Sequence, residues 1–561
     1  VAGMAALEDI VPLALVVCLL LAVVVTSYRQ TIKAYPQGGG SYVVSRENLG
    51  RNPSLVAGAS ILVDYVLTVA VSVSAGVAAI DSAFPELRDA RVVLCLGFIV
   101  LMTLANLRGL KESGRLFAGP TYIYVVALYG LILIGLGRSY FGDLGPLPVN
   151  QEALDQITHN GALLTGTTAL IMLRAFSSGA VALTGVEAIA DGVPAFRKPE
   201  SKNAATTLTW MAVILGTAFF GLAVLTHRLQ PTVSEDETLL SIMGKAVYGS
   251  GSLMYYVLQF STFAILILAA NTAFADFPRL SSIISRDGFL PRQMANRGDR
   301  LVFSNGIVFL AALASLLIVA FDGDTAALIP LYAVGVFTSF TLSQFGMFRF
   351  QRSHRQPGWR GRSIISLVGS IATFIVLLVV VVSKFTKGAW IPAVVIPAIV
   401  LLFVQIGRHY SHVREAIYVP PGWRAKRHTH NVVVLVGGVN RGVLNAITYA
   451  RSLAPDRLIA VTVVSDELEQ ERISKQWAEY EIAVELHILL SAYRELTRPV
   501  LRYLDELDSE SPDDIITVVI PEVVVTTWYT NVLHNQSALA LKARLLYRPN
   551  TVVTSVPVIV D

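Results

Sequence analysis

The chain of 561 residues is 54% hydrophobic and only 15% charged, its mean hydropathy is +0.59, and its apolar residues gather into long blocks. That composition excludes an ordinary soluble protein and predicts a polytopic membrane protein. Both cysteines, Cys18 and Cys95, lie inside apolar runs, which excludes a disulfide framework and a thiolate metal site; the net charge of +4 informs only through its distribution.

Windows of about 19 residues predict eleven spans, near 10–27, 53–80, 92–107, 119–137, 164–190, 206–226, 252–275, 301–321, 325–348, 363–383 and 390–406. Connecting segments 28–52, 108–118, 191–205, 276–300 and 349–362 together carry roughly twenty Lys and Arg, against roughly six in the intervening ones. The basic side is therefore expected to be cytoplasmic, which leaves the visible N terminus outside. With Val at position 1 and no signal-peptide pattern, a further span upstream of Val1 is expected, giving twelve with both ends cytoplasmic.

In the second span, RNPSLVAGASILVDYVLTVAVSVSAGVAAI, Asp64 stands alone in an apolar run. An ionised Asp at bilayer depth costs at least about 2.5–3.5 kcal/mol, so it reads as a pathway or binding residue. Asp64, Thr68 and Ser72 are spaced by four and form a column of oxygen donors on one helix face, a donor set for a hard cation rather than a transition metal. The hydroxyls would equally serve to bond neighbouring helices or their own i−4 carbonyls.

The fifth span, IMLRAFSSGAVALTGVEAIADGVPAF, holds Gly179, Thr184, Gly185 and Glu187 and is expected to break, with the two glycines as the hinge. Close helix packing at Gly179 and Gly185 is the alternative. Glu187, three residues past Thr184, suits a group that takes and gives a proton in each cycle. Arg174 either pairs with a carboxylate or snorkels. Asn271 and Asp276 read as packing and cytoplasmic-gate residues, and His354 as part of a solvated loop.

The domains expected are a transmembrane unit over 1–408, a basic, Pro-containing linker over 409–430 that suits either anionic headgroups or an ordinary positive-inside flank, and a C-terminal domain over 431–561. In the last, β-branched strands NVVVLVGGV, RLIAVTVV, VELHILL, DIITVVIPEVVV and TVVTSVPVIV alternate with helices near 441–453, 466–480, 491–506 and 530–546, which predicts a doubly wound parallel sheet. The turn GGVNRG offers Gly437, Gly438 and Gly442 either for a bound phosphate or for a tight turn alone. The domain resembles the universal stress protein fold, but the second Gly-rich loop of its ATP-binding members is absent, since no glycine follows Gly442. A regulatory dinucleotide or dimerisation is left.

Three stretches, AYPQGGGSYVVSRENLG, TGVEA and ANTAFADFPRLSSIISRDGFLPRQMANRGDRLVFSNG, together with IPEVVV, TNVLHNQSALALKARLL and VPVIV in the C-terminal domain, resemble the amino acid/polyamine/organocation permeases and, within them, the bacterial potassium-importing branch. The resemblance implies the inverted-repeat fold of the leucine transporter type, the visible spans being the second to twelfth and the broken first helix lying upstream. It implies that Asp64, Thr68, Ser72 and Thr184 ligate potassium and that Glu187 is the proton-coupling acid, while a further acid and a tyrosine belong to the first helix. A homodimer through the C-terminal domain, inhibition by cyclic di-AMP, and placement in the cell membrane with that domain cytoplasmic are also implied. The function expected is potassium/proton symport by alternating access. The alternatives are amino acid/proton symport and a non-transporting sensor that signals through its C-terminal domain. Without a nucleophile–His–acid set, a metal cluster or a Walker loop, neither an enzyme nor a nucleic-acid partner is expected.

Overall fold

The computed structural model describes residues 9–38, 40–109, 114–148, 168–232, 237–296, 302–424, 428–491, 495–510, 514–525 and 536–560. The chain forms two compact units, Val1–Tyr418 and Val419–Asp561. The helices of the first are α1 (Ile10–Ala34), α2 (Gly40–Asn48), α3 (Arg51–Ala83), α4 (Arg91–Leu107), α5 (Gly114–Phe141), α6 (Thr168–Gly179), α7 (Val186–Asp191), α8 (Glu200–Leu229), α9 (Leu239–Tyr248), α10 (Leu253–Arg286), α11 (Ser304–Ala320), α12 (Thr325–His354), α13 (Trp359–Lys384) and α14 (Trp390–Ala416).

Among the described residues nine helices, α1, α3, α4, α5, α8, α10, α12, α13 and α14, are long and apolar enough to cross a bilayer. Each covers one predicted span. The eighth predicted span is the 17-residue α11, and the fifth is the broken pair α6 and α7; residues 164–167 and 301 of those spans lie outside the described residues. Many helices outrun their predicted spans, because backbone hydrogen bonding continues where the side chains turn polar: α14 reaches Ala416, and α12 carries His354 as its last residue, so His354 is helical rather than in a loop. Local chemistry sets several starts. Thr238, Ser252 and Asp324 cap α9, α10 and α12 by accepting from the N–H of Ser241, Tyr255 and Ala326 at 3.3, 3.2 and 2.8 Å.

Helices α3 and α12 form the centre, with 67% and 61% of their most apolar windows buried against 17% for α14. Their apolar faces meet α1, α10 and α13 in one continuous core that includes Tyr28, Tyr42, Leu55, Phe274, Phe337 and Phe340. One ion pair is built into it. Asp81 near the end of α3 is fully buried, and Arg91 at the head of α4 donates Nε to its Oδ2 at 2.7 Å.

In the second unit β1 (His430–Val436), β2 (Arg457–Val464), β3 (Glu485–Leu490), β4 (Ile515–Val525) and β5 (Thr551–Val560) pair in parallel in the order β3-β2-β1-β4-β5. Alternation along β1 sends Val432, Val434 and Val436 to one face and Val433 and Leu435 to the other. Helices α15 (Arg441–Ser452) and α16 (Glu467–Glu479) cover the first face through Val443, Ala446 and Trp477. Helices α17 (Thr497–Glu510) and α18 (Gln536–Leu545) cover the second through Val500, Leu504, Leu541 and Leu545. This is the expected doubly wound sheet. Helix α17 starts later than the predicted 491: Ser491 still donates its N–H to Val464 O at 2.9 Å, and Pro499 fits the first turn of a helix. Of the predicted 530–546 helix, residues 530–535 lie outside the described residues.

Removing one partner of a buried ion pair costs about 3–5 kcal/mol, and the partial exposure of Arg91 places its loss at the low end. Arg91→Ala is expected to lower the melting temperature of the purified protein by several degrees, and adding Asp81→Ala to recover part of the loss; a double variant less stable than Arg91→Ala would show that the pair does not bind α3 to α4.

Candidate functional site

Helix α3 is unbroken, so a rise of about 1.5 Å per residue sets Thr68 about 6 Å and Ser72 about 12 Å along the axis from Asp64. One dehydrated ion can span Asp64 and Thr68 but cannot touch Asp64 and Ser72 together. The buried Ser72 belongs to a separate level of the same face.

Across from this face lies α12. Gly335 brings its backbone close, for a Cβ there would stand 3.0 Å from Ser60 O and 3.7 Å from Asp64 Cβ. One turn earlier Thr68 Oγ1 donates to the Tyr332 hydroxyl at 3.2 Å, with Thr184 and the Asp64 carboxylate in the same neighbourhood. A hydrogen-bonded pair of hydroxyls thus lies one turn from Asp64 on the face it shares with α12. Its Oδ1 is shut off from solvent and has no hydrogen-bond partner among the described residues.

The break lies where Thr184 becomes available. Helix α6 ends at Gly179, a 3-10 turn covers Ala180–Leu183, Thr184 is extended with ψ 151°, and Gly185 takes φ 90° before α7 resumes. That φ is strained for any residue with a Cβ, so the unwinding rests on Gly185. Gly179 keeps helical angles of φ −64° and ψ −36°, and a Cβ there would lie 3.3 Å from Val17 and 3.5 Å from Phe219; it serves the approach of α1 and α8 rather than the hinge.

Glu187, in the first turn of α7, is buried. Its Oε1 accepts from the Ser41 N–H at 3.2 Å and its Oε2 from Ser339 Oγ at 2.6 Å, tying α7 to α2 and α12. It lies close enough to Asp64 for the two to repel when both are ionised. One turn on, Asp191 Oδ2 accepts from the Tyr65 hydroxyl at 2.9 Å. Tyr332, Ser339 and Asp191 were not among the predicted residues, yet the signal was available: Tyr332 and Ser339 are seven apart on one face of α12, and Asp191 is four past Glu187.

Other polar residues have packing roles. Asn106 Nδ2 donates to Asn271 Oδ1 at 2.8 Å, and Asp276 lies 4.0 Å from Arg279. Tyr42 donates to Asp287 at 2.7 Å and Arg46 pairs with the same carboxylate, binding α2 to the end of α10. Lys384, buried at the end of α13, donates to Ser178 Oγ of α6 at 2.7 Å; its place at a span end hid it in the sequence. The Arg174 side chain lies outside the described residues.

In the second unit Gly437 and Gly438 follow β1, the latter at φ 148°, and added Cβ atoms would meet nothing within 4 Å. A Cβ on Gly442, by contrast, would stand 3.1 Å from Asn440 Oδ1 and 3.3 Å from Val558, so this glycine serves packing. The turn sits at the carboxyl end of β1, between β2 and β4, where the order of the strands reverses.

The sequence profile described as Amino acid permease matches residues 2–404, and that described as KimA potassium transporter C-terminal domain matches residues 427–558. The chain belongs to the amino acid permease family. Within it, the Potassium transporter KimA of Bacillus subtilis (strain 168) is 42% identical over 552 residues, which cover 98% of this chain and 89% of that protein. A crystal structure of the Eremococcus coleocola manganese transporter, in complex with an aromatic bis-isothiourea substituted compound, is similar with 11% identity and a TM-score of 0.38, over 73% of this chain and 88% of that one. Family membership accords with the expected fold class, an all-α polytopic permease of the leucine transporter type followed by an α/β domain.

Because open space surrounds Gly185, Gly185→Ala meets no clash and its cost is conformational, about 1–2 kcal/mol. Gly185→Ala is expected to lower the melting temperature more than Gly179→Ala, whose small contacts are relieved by side-chain adjustment. The reverse order would place the hinge at Gly179.

Proposed function

We propose that the protein imports potassium together with protons by alternating access. The observation that carries this reading is the unpartnered Asp64 Oδ1 on the same helix face as the hydrogen-bonded hydroxyls of Thr68 and Tyr332. A carboxylate and neutral oxygens suit a hard monovalent cation, which would supply the missing partner. The name of the Bacillus subtilis relative, Potassium transporter KimA, supports the choice of ion. In the outward-open state potassium binds Asp64, Thr68, Tyr332 and Thr184 while Glu187 carries a proton; Ser72, a level away, serves a successive position. The unit then rocks inward and releases both. Glu187 is suited to coupling because its hydrogen bonds reach α2 and α12, so a change in its charge acts on both. An inside-negative potential of 100 mV is worth about 2.3 kcal/mol per charge, or roughly 50-fold accumulation, and a co-moving proton adds a second driving charge.

On this reading the chain lies in the cell membrane with its basic segments and C-terminal unit in the cytoplasm. The C-terminal unit would be regulatory. The exposed apolar residues Val552, Ile559 and Val560 of edge strand β5 suit a homodimer contact, and the open turn at Gly437 and Gly438 suits a phosphate of cyclic di-AMP.

Expression of the full-length protein in a bacterium lacking potassium uptake is expected to restore growth at low potassium. Asp64→Asn should abolish the rescue by at least tenfold in uptake rate while the protein still accumulates in the membrane; full rescue by this variant would remove Asp64 from the site. Competition of uptake by amino acids would instead favour the amino acid/proton symport that the family description admits. In proteoliposomes, Glu187→Gln should abolish accumulation driven by a pH gradient yet spare potassium binding. An unchanged response to the gradient would assign the coupling proton elsewhere.

A further inference from the structure

At the basic end of the helices a cleft of about 390 Å³ opens between α1, the end of α12 and the start of α13. Its walls include Thr26, Arg29 and Lys33 of α1, Gln351 and Gln356, and Arg362 of α13, with no carboxylate among its lining residues. None of the three cations has an acidic partner among the described residues; Arg362 donates to the Pro357 carbonyl. Three positive charges facing one recess without a counter-ion repel one another, and an anion there relieves the repulsion.

Helix α1 indicates the kind of anion. Its exposed positions Leu15, Leu19, Ala22, Thr26, Arg29 and Lys33 recur at alternating intervals of four and three, so they form one stripe along the helix. The upper part is apolar, with Leu15 and Leu19 62% and 66% exposed, and the lower part enters the cleft. From Leu15 to Thr26 the stripe runs about 16 Å, close to half of the about 30 Å hydrocarbon core, which is the depth of one leaflet. A soluble anion would need the basic residues only. A molecule with a phosphate at one end and a hydrocarbon chain at the other would use the whole stripe.

We propose that the cleft between α1, α12 and α13 is a binding site for an anionic phospholipid, its phosphate held by Arg29, Lys33 and Arg362 and an acyl chain lying along Ala22, Leu19 and Leu15. The glutamines add donors for headgroup oxygens. Trp359, the first residue of α13, supplies an aromatic anchor at the same interface.

The test uses the full-length protein purified in detergent, with bound lipid read by native mass spectrometry. Wild type is expected to retain phosphatidylglycerol in preference to phosphatidylcholine. Each basic residue at a membrane surface contributes about fivefold in affinity, so Arg29→Gln should weaken phosphatidylglycerol binding about fivefold and the combination of Arg29→Gln, Lys33→Gln and Arg362→Gln on the order of 100-fold. Phosphatidylcholine, whose phosphate is offset by its choline cation, should weaken by less than phosphatidylglycerol, so the preference between the two falls; the preference should be unchanged in Arg355→Gln, a basic residue outside the cleft. Leu15→Ser with Leu19→Ser should weaken both lipids. Equal retention of the two lipids by wild type, or an undiminished preference in the triple variant at an unchanged melting temperature, would overturn the proposal. So would displacement of phosphatidylglycerol by inorganic phosphate with no effect of the leucine changes, an outcome that identifies a soluble anion as the occupant. If the triple variant melts early, Arg29→Gln alone decides by the same readout.

Discussion

A carboxylate oxygen without a hydrogen-bond donor carries a desolvation cost of about 1–3 kcal/mol or more, and packing from apolar helices offers no water to offset it. Asp64 Oδ1 is such an atom, and Glu187, when ionised, adds a second negative charge that acts on it. Two buried carboxylates in repulsion are a poor way to stabilise a fold. A proton on one and a cation on the other would remove most of the conflict: the Thr68–Tyr332 hydroxyl pair lies on the face of Asp64, while a backbone N–H and a serine hydroxyl hold Glu187. The fold tolerates the pair because both lie within the largest core, Asp64 on the enclosed helix α3 and Glu187 on α7 tied by Ser339 to α12.

That position also makes the site sensitive to movement. Thr184 takes extended backbone because the chain unwinds at Gly185, and Glu187 follows two residues later with hydrogen bonds to α2 and α12. A shift of α7 against α12 therefore disturbs Thr184 and the Glu187 contacts together. The buried Lys384, donating to Ser178, holds the other half of the broken helix to α13. The two halves are thus anchored to different helices, an arrangement in which one can move while the other stays.

The sequence made the membrane unit legible because hydropathy is a sum over some twenty residues, so single misfits do not matter: every predicted span is occupied by a helix, and the one expected to break does so. The parallel sheet was legible for a similar reason, runs of β-branched residues alternating with amphipathic helices. The site was only half legible. Asp64 stood out by its cost, and its spacing pointed to Thr68, but periodicity along one helix says nothing of what faces it. Tyr332 and Ser339 are as common in packing as in function; Tyr332 stands out because Gly335 brings α12 against α3 near that level, and Ser339 because its hydroxyl meets Glu187 of α7, both tertiary facts. Periodicity also overreached: it grouped Ser72 with Asp64 on one face while the helical rise sets them too far apart for one ion. Likewise two glycines looked alike in sequence, and only the backbone angles separate Gly185 from Gly179.

The same close approach bears on what cargo the site suits. An amino acid brings a carboxylate, an ammonium and a side chain, and it needs room between the helices that hold its two charged ends. At Gly335 the α12 backbone lies so near α3 that even a methyl group would press on Ser60 O at 3.0 Å, and the Asp64 Cβ is the next atom along. On the side of α12, Asp64 is bounded by that contact and by the Thr68 and Tyr332 hydroxyls, which are neutral groups suited to replacing water around a small cation. Making room for an α-carbon on that side would require the two most buried helices of the unit to separate. The packing of α3 on α12 thus favours an ion over an amino acid on grounds independent of any relative's name.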